Sequence, residues 1–297
     1  MDIKIATHHD ADGITSAFLF IKTLNEGYEI IYPDIFGDVN DVDVVLDMAP
    51  INPKFKGTVY DHHPQHMDNH SYKLIWDAVP TSLIIYRQLK DKIPKEECWK
   101  TVVGLVGDAQ PELTPPEIWK SCPSLLDMEL ITSEYKNQLS TFQIPKYKLL
   151  SSPVNAACRL GFPDIALKSL IKATKPDDIL HDETLLSAKA KLKGIMSGVI
   201  KNTNPIDLGH IVLWIYDSSA RLSGWLATRI EQSTHKTAVV VNKSTGSMSI
   251  RGDLALLVVE KLNKSGIPAG GHPGFSGGNI SKDQIGQLPN ILRNILR

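Results

Sequence analysis

The chain has 297 residues, 42% hydrophobic and 22% charged, with a formal net charge of −1. This is the composition of a globular chain with room for two domains, and it excludes repeat and low-complexity architectures. Cys98, Cys122 and Cys158 form no CxxC pair, which excludes a cysteine zinc site and suits a reducing compartment.

Ile3–Thr7 reads as a short buried strand that runs into His8-His9-Asp10-Ala11-Asp12-Gly13. Helical spacing follows over Ile14–Leu24, until Gly27. Glu29–Tyr32, Val42–Leu46 and Thr58–Tyr60 are further strands, the last two ending at Asp47 and Asp61. Thr81–Lys90 and Glu96–Val106 read as helices, the second leading to Asp108. Strands alternating with helices predict an α/β fold with a parallel sheet, whose ligands bind beyond the carboxyl ends of the strands. Residues 110–205 read mostly as helix broken at prolines.

After the polar stretch Asn202-Thr203-Asn204-Pro205, strands are expected at Gly209–Tyr216, Thr237–Val241 and Ser247–Arg251. Helices are expected from Arg221 to Gln232 and from an Asp253 cap through Leu262, with Gly270-Gly271-His272 as a terminal loop. The organisation predicted is therefore an N-terminal domain, 1–205, that includes a helical connector, and a smaller α/β domain, 206–297, with a cleft between them. The opening Met1–Ile5 carries no signal-peptide pattern and no apolar run reaches membrane-spanning length. A cytoplasmic protein without a membrane partner is the expectation.

The neutral total hides an asymmetry. Residues 1–50 carry ten acids against two lysines, and residues 185–297 carry fourteen Lys and Arg against six acids. An acidic N-terminal part repels phosphate until it binds cations, whereas a basic C-terminal part attracts an anionic substrate. Carboxylates and imidazoles at successive strand ends suit hard divalent metals, with imidazole favouring Mn²⁺ over Mg²⁺. Asp10 and Asp12, two apart, can serve one pocket. Asp47 is placed to bridge two metals, and His62 and Asp108 can complete a coordination sphere. Asp61 and His63 are candidates to orient the ligands. His66 and His70, four apart, read as surface or substrate-side residues on a helix face.

These residues carry a resemblance to the DHH phosphoesterase superfamily, whose name-giving motif is Asp61-His62-His63. Asp10-Ala11-Asp12-Gly13 followed by Ser16-Ala17 resembles the first motif, Asp47 the second, and Asp108 in Gly104-Leu105-Val106-Gly107-Asp108 the fourth. The C-terminal part resembles the companion DHHA1 domain, with Gly270-Gly271-His272 at its glycine-rich substrate loop and Ser249-Ile250-Arg251 at its arginine strand. Pro153–Gly161 and Leu222–Arg229 are similar to segments of RecJ-type single-strand exonucleases, with Cys158 and Phe275 as departures.

The resemblance implies a phosphodiesterase that uses two divalent cations, Mn²⁺ or Mg²⁺. Asp10, Asp12, Asp47, His62 and Asp108 would be the metal ligands, joined by His8 or His9, and His63 would lie near the metals or the scissile phosphate. Arg251, Gly270, Gly271 and His272 would hold a substrate phosphate or terminal nucleotide. Asn155 and Arg159 would contact the nucleic-acid backbone or brace the cleft. Phe275 and Trp225 are candidates for base stacking.

The expected activity is an exonuclease on single-stranded DNA or RNA that releases mononucleotides. The chain leaves no room for the OB-fold domain of bacterial RecJ, which brings short oligonucleotides into view as substrates. The alternatives are a nanoRNase or cyclic-dinucleotide phosphodiesterase, and an inactive scaffold docked to a replication or repair protein. A family II inorganic pyrophosphatase is a weaker option, because its site begins differently.

Overall fold

In the computed structural model, residues 2–33, 39, 41–50, 52, 54–64, 66, 70–135 and 138–293 are described, with the side chains of 133–135, 138 and 272 left aside. Two compact units are formed by Met1–Lys189 and Ala190–Arg297. Among the described residues no helix is long and apolar enough to cross a membrane.

The first unit is built on strands β1 (Ile3–Thr7), β2 (Tyr28–Ile31), β3 (Val44–Leu46), β4 (Thr58–Asp61) and β5 (Lys73–Trp76), in the order β2-β1-β3-β4-β5. Every pairing is parallel. Alternation of side chains explains why both faces are covered. Ile5, Val44, Leu46 and Tyr60 enter one apolar layer, while Ala6, Val45 and Val59 enter the other with Phe55 and Tyr72.

Helix α1 (Ala11–Ile21) is buried along its whole length. It packs against α2 (Thr81–Leu89) and α3 (Thr101–Gly107). A helix with no solvent face needs small or apolar residues all round, and Ala11, Gly13, Ser16 and Ala17 meet that need.

The helices expected over 81–106 are present, but Lys95–Lys100 is 3₁₀ before α3 begins. β5 was not expected. The reading of 110–205 as helix holds for α4 (Pro116–Ser121) and fails over 128–145. There β6 (Met128–Tyr135) and β7 (Gln138–Pro145) form an antiparallel two-stranded sheet. Its alternation is masked by apolar residues on both faces: Leu130 and Phe142 lie on opposite sides of the ladder, and both are exposed. The remaining helices are α5 (Ser151–Arg159), α6 (Pro163–Lys172), α7 (Pro176–Leu180) and α8 (Glu183–Asn202). The division between the units falls inside α8, upstream of the 205/206 boundary expected from the sequence.

The second unit has a six-stranded mixed sheet. Its strands are β8 (Ile206–Asp207), β9 (Ile211–Tyr216), β10 (Thr237–Asn242), β11 (Ser247–Gly252), β12 (Ala269–His272) and β13 (Gly274–Asn279), in the order β12-β13-β11-β10-β9-β8. Helices α9 (Ser223–Thr234) and α10 (Ala255–Lys264) pack on it, followed by α11 (Lys282–Ile285) and α12 (Leu288–Arg293). Two expectations change. The N-cap of α10 is Leu254, without a side-chain bond, so Asp253 does not cap it. Gly270-Gly271-His272 is an edge strand rather than a loop. Glycine is required at Gly271, where φ is +143° and a Cβ would stand 2.4 Å from Ser276 Cα.

Candidate metal centre

Parallel hydrogen bonding continues past the strand ends and brings three acidic turns together. His8 N–H donates to Leu46 O at 3.2 Å and Asp47 N–H to Tyr60 O at 2.9 Å. The β1–α1 turn, Asp47 and Asp61 therefore stand side by side at the carboxyl end of the sheet. Asp10 is the N-cap of α1 and accepts from Gly13 N–H at 3.0 Å. Its other oxygen lies 2.9 Å from His8 Nδ1.

Asp12, fully buried in the first turn of α1, accepts from Thr81 N–H at 2.6 Å, Ser82 N–H at 3.1 Å and the Ser82 hydroxyl. Thr81 and Ser82 open α2, so the unpaired amides of that helix end point at the Asp12 carboxylate. α3 comes equally close: a Cβ at Gly104 would stand 2.3 Å from Ser82 Oγ and 2.5 Å from Asp12 Oδ1.

Asp47 is 2% exposed and has φ +61°, a left-handed conformation uncommon outside glycine. Such a residue persists only where its surroundings determine it. Thr81 Oγ1 donates to Asp47 Oδ1 at 3.0 Å. His62 Nε2 lies 3.3 Å from that same oxygen, and His8 Nδ1 lies 3.5 Å from Oδ2. His62 Nε2 is also 3.3 Å from Asp108 Oδ2, at the C-cap of α3.

Ligating atoms of His8, Asp10 and Asp47 fall within 4.8 Å of one another, as do those of Asp12, His62 and Asp108, and those of Asp47, Asp61, His62 and His63. Five residues expected as ligands and His8 thus converge. Of the two histidines left open, His8 joins a group, while His9 is beside it with ring centroids 5.0 Å apart.

Asp61 is turned to a different task. Its Oδ1 accepts from His62 N–H at 2.8 Å and lies 2.8 Å from His63 Nδ1. Its Oδ2 lies 2.9 Å from His66 Nε2. His66 Nδ1 in turn pairs with the Tyr72 hydroxyl at 2.9 Å. His66 is therefore a buried brace, which overturns its reading as a surface residue, and His70 stacks on Tyr72 with ring centroids 4.0 Å apart. Neither lies in a helix.

The electrostatics follow from crowding. Burial, with the Asp47 charge next, pushes the Asp12 carboxyl up to about 8. Burial and then the charges of Asp12, Asp47 and Asp10 push Asp108 up to about 9. Burial works against a charged His62, yet its contact with Asp47, aided by Asp12 and Asp108, raises it to about 10. Asp10 and Asp61 go the other way: burial opposes their charge, but His8 for Asp10, and His63 with His66 for Asp61, hold both below the usual carboxylate range.

The remaining candidates sit elsewhere. Asn155 accepts from Ala11 N–H at 2.9 Å and so holds the start of α1. Arg159, also on α5, is half-buried. Burial lowers its pKa against the pull of Asp10. In the second unit Arg251 Nη1 donates to the carbonyls of Ile250 at 2.8 Å and Ser276 at 3.0 Å, and its guanidinium lies 4.9 Å from the centre of the exposed Phe275 ring. Its buried Nε has no hydrogen-bond partner among the described residues. Gly270 and Gly271 lie on the edge strand β12, and the side chain of His272 is outside the described residues. Trp225 is half-buried on α9 beneath Arg229 at 5.3 Å. Thr81 and Ser82 were not singled out from the sequence, and His66 was given another role; a Thr-Ser pair opening an apolar helix was the available signal.

No protein-family model matches the chain, and no curated protein matches it. Solved structures do. RecJ from Thermus thermophilus in complex with Mn²⁺ is 14% identical, with a TM-score of 0.65 over 98% of this chain and 51% of that one. The chain thus spans about half the length of that protein. A manganese-bound exonuclease RecJ is 15% identical, with a TM-score of 0.67 over 100% and 90% of the two chains. The fold is the one seen in these RecJ structures. The chain is also similar in fold to the pGpG-specific phosphodiesterase PggH of Vibrio cholerae, 14% identical, with a TM-score of 0.52 over 98% of each chain.

The cluster suits divalent cations. Asp108 Oδ2 is buried without a hydrogen-bond donor, and Asp12, Asp47 and Asp108 crowd together with protons retained on two of them. Cations relieve both conditions, and a set of carboxylates with two imidazoles is the donor chemistry of Mn²⁺ or Mg²⁺.

Proposed function

We propose that the chain is a phosphodiesterase using two divalent cations, Mn²⁺ foremost, and acting as a RecJ-like exonuclease on single-stranded DNA or RNA. The observation that carries this reading is the convergence of His8, Asp10, Asp12, Asp47, His62 and Asp108, in which Asp47 adjoins both flanking sets. His8, Asp10 and Asp47 would hold one cation and Asp12, His62 and Asp108 the other, with Asp47 next to both sets. Such a pair supplies charge neutralisation at phosphorus and a water of lowered pKa.

The protein groups do the rest. Thr81 and Ser82 fix the oxygens of Asp47 and Asp12 that would otherwise rotate. Asp61, held by His66, orients His63 from behind. Arg251 would offer its guanidinium charge to an anion, with Nη1 anchored on two carbonyls and its plane backed by Phe275. At Gly270 nothing lies within 4 Å of where a Cβ would stand, so a phosphate has room beside that backbone.

A second reading is favoured by the match to PggH, which runs the full length of both chains: a phosphodiesterase of dinucleotides or other very short oligonucleotides. Time-resolved digestion with Mn²⁺ of single strands labelled at either end, from dinucleotide to about 40-mer, separates the two. A mononucleotide ladder from long strands supports the exonuclease, and turnover of the shortest oligomers alone supports the second reading. No cleavage of any length with Mn²⁺ or Mg²⁺ contradicts both and leaves the inactive-scaffold alternative.

A further inference from the structure

Trp76 is 49% exposed, although an indole has much apolar surface to withdraw from water. It is the last residue of β5, paired in register with Asp61 of the DHH motif. It belongs to neither of the apolar layers that flank the sheet. β5 is the edge strand, and among the described residues no further strand covers that side. An exposed side chain on an edge usually samples several rotamers. This one is tied down, because its Nε1–H donates to the His63 carbonyl at 3.0 Å. The ring is thus fixed to the loop that carries His62 and His63, while about half of the residue's surface remains in water. A rigid aromatic plane with its polar atom already engaged is a stacking surface whose ordering cost has been met in advance.

We propose that Trp76 is a base-stacking platform for a nucleotide of the substrate, placed beside the metal centre. The inference rests on the phosphodiesterase reading. Its chemistry is specific in what it selects. With Nε1–H engaged by His63, the indole has no donor left to read a base edge, so the platform recognises the presence of a base and not its identity. A base buried within a duplex has both faces covered by its neighbours, so only an unstacked base can use the platform. Single-strand preference without sequence preference follows.

The test compares kcat/KM with Mn²⁺ for a short single strand and for the same strand made abasic at one position at a time, using wild type, Trp76→Ala and Trp76→Phe. The wild type should lose about tenfold or more at one abasic position. Trp76→Ala should lose as much on the intact strand and nothing further on that abasic strand, whereas Trp76→Phe should retain most of the wild-type preference for a base. Both variants lose the bond to the His63 carbonyl, so equal losses in both, on intact and abasic strands alike, would mean that Trp76 only positions the loop and would overturn the platform. An abasic scan without effect in the wild type overturns it too, whatever the variants do. If the wild type cleaves neither strand, the phosphodiesterase reading fails and the platform fails with it. Cleavage that is indifferent to the base refutes the platform alone.

Discussion

Asp47 and Arg251 each carry a charge near the end of a strand, and their surroundings treat them in opposite ways. Asp47 is almost inaccessible and is surrounded by Thr81, His8 and His62, with Asp12 close enough to have its own carboxyl pushed up. Arg251 leans on an exposed aromatic ring, has two carbonyls for one of its nitrogens, and keeps its Nε unpaired. The first arrangement concentrates negative charge at a point and positions every oxygen, which is what holding a small, hard cation demands. The second leaves a guanidinium without a carboxylate partner among the described residues and backed by an aromatic ring, which suits holding a larger anion. Under the proposed function, chemistry and recognition would fall to different units.

The comparison breaks first at Asp47. Asp47→Asn keeps a residue tolerant of the left-handed backbone but removes the charge shared between the two cation sets. Turnover should fall on the order of a thousandfold, while the thermal midpoint without metal stays equal or rises as repulsion is relieved. Steady-state kinetics with a melting curve checks both. A variant that retains wild-type turnover would remove Asp47 from the site.

His66→Ala tests the brace behind the DHH loop. It leaves the buried Asp61 carboxylate one partner short, and activity should fall roughly 10- to 100-fold without a change in cleavage pattern. Arg251→Ala tests the other unit. It should raise KM about tenfold with kcat nearly unchanged, because it removes a contact to the substrate and not to the reacting centre. A fall in kcat with KM unchanged would place Arg251 in the chemistry and erase the contrast.

The smallest effect expected is on pH dependence. In the metal-free protein, Asp12 and Asp108 hold protons to about 8 and about 9, and His62 to about 10. All three bind protons more tightly folded than unfolded, so the folded state loses stability as pH rises from neutrality towards these values. Cations replace those protons. The rise in melting temperature produced by Mn²⁺ should therefore widen between about pH 6.5 and about pH 8.5, as differential scanning fluorimetry would show. A shift that narrows would contradict the assignment.

Much of the cluster was legible in the sequence, because three of its acids stand at or just past the ends of short apolar strands and a parallel sheet gathers those carboxyl ends on one side. Asp10, Asp47 and Asp61 follow that logic. The supporting residues were not legible. Thr81 and Ser82 act through a helix N-terminus whose target lies some seventy residues away. His66 acts through a bond to Asp61 from a stretch without periodicity. β5 was missed because four residues, Lys73–Trp76, with partly exposed side chains give no alternation to detect. The β6–β7 hairpin was missed because apolar residues stand on both of its faces, which hides the period of two. The edge strand β12 was read as a loop because two adjacent glycines signal a turn unless a partner strand such as β13 pairs with them.

We propose that His8, Asp10, Asp12, Asp47, His62 and Asp108 hold two cations with Asp47 between them. Calorimetric titration of the metal-free full chain with Mn²⁺, alongside Asp47→Asn, tests it most directly. The account predicts two ions per chain for the wild type, released protons that accompany binding, and weakened binding of both ions in the variant. Binding of no Mn²⁺, or two ions bound with equal affinity in wild type and variant, would contradict it.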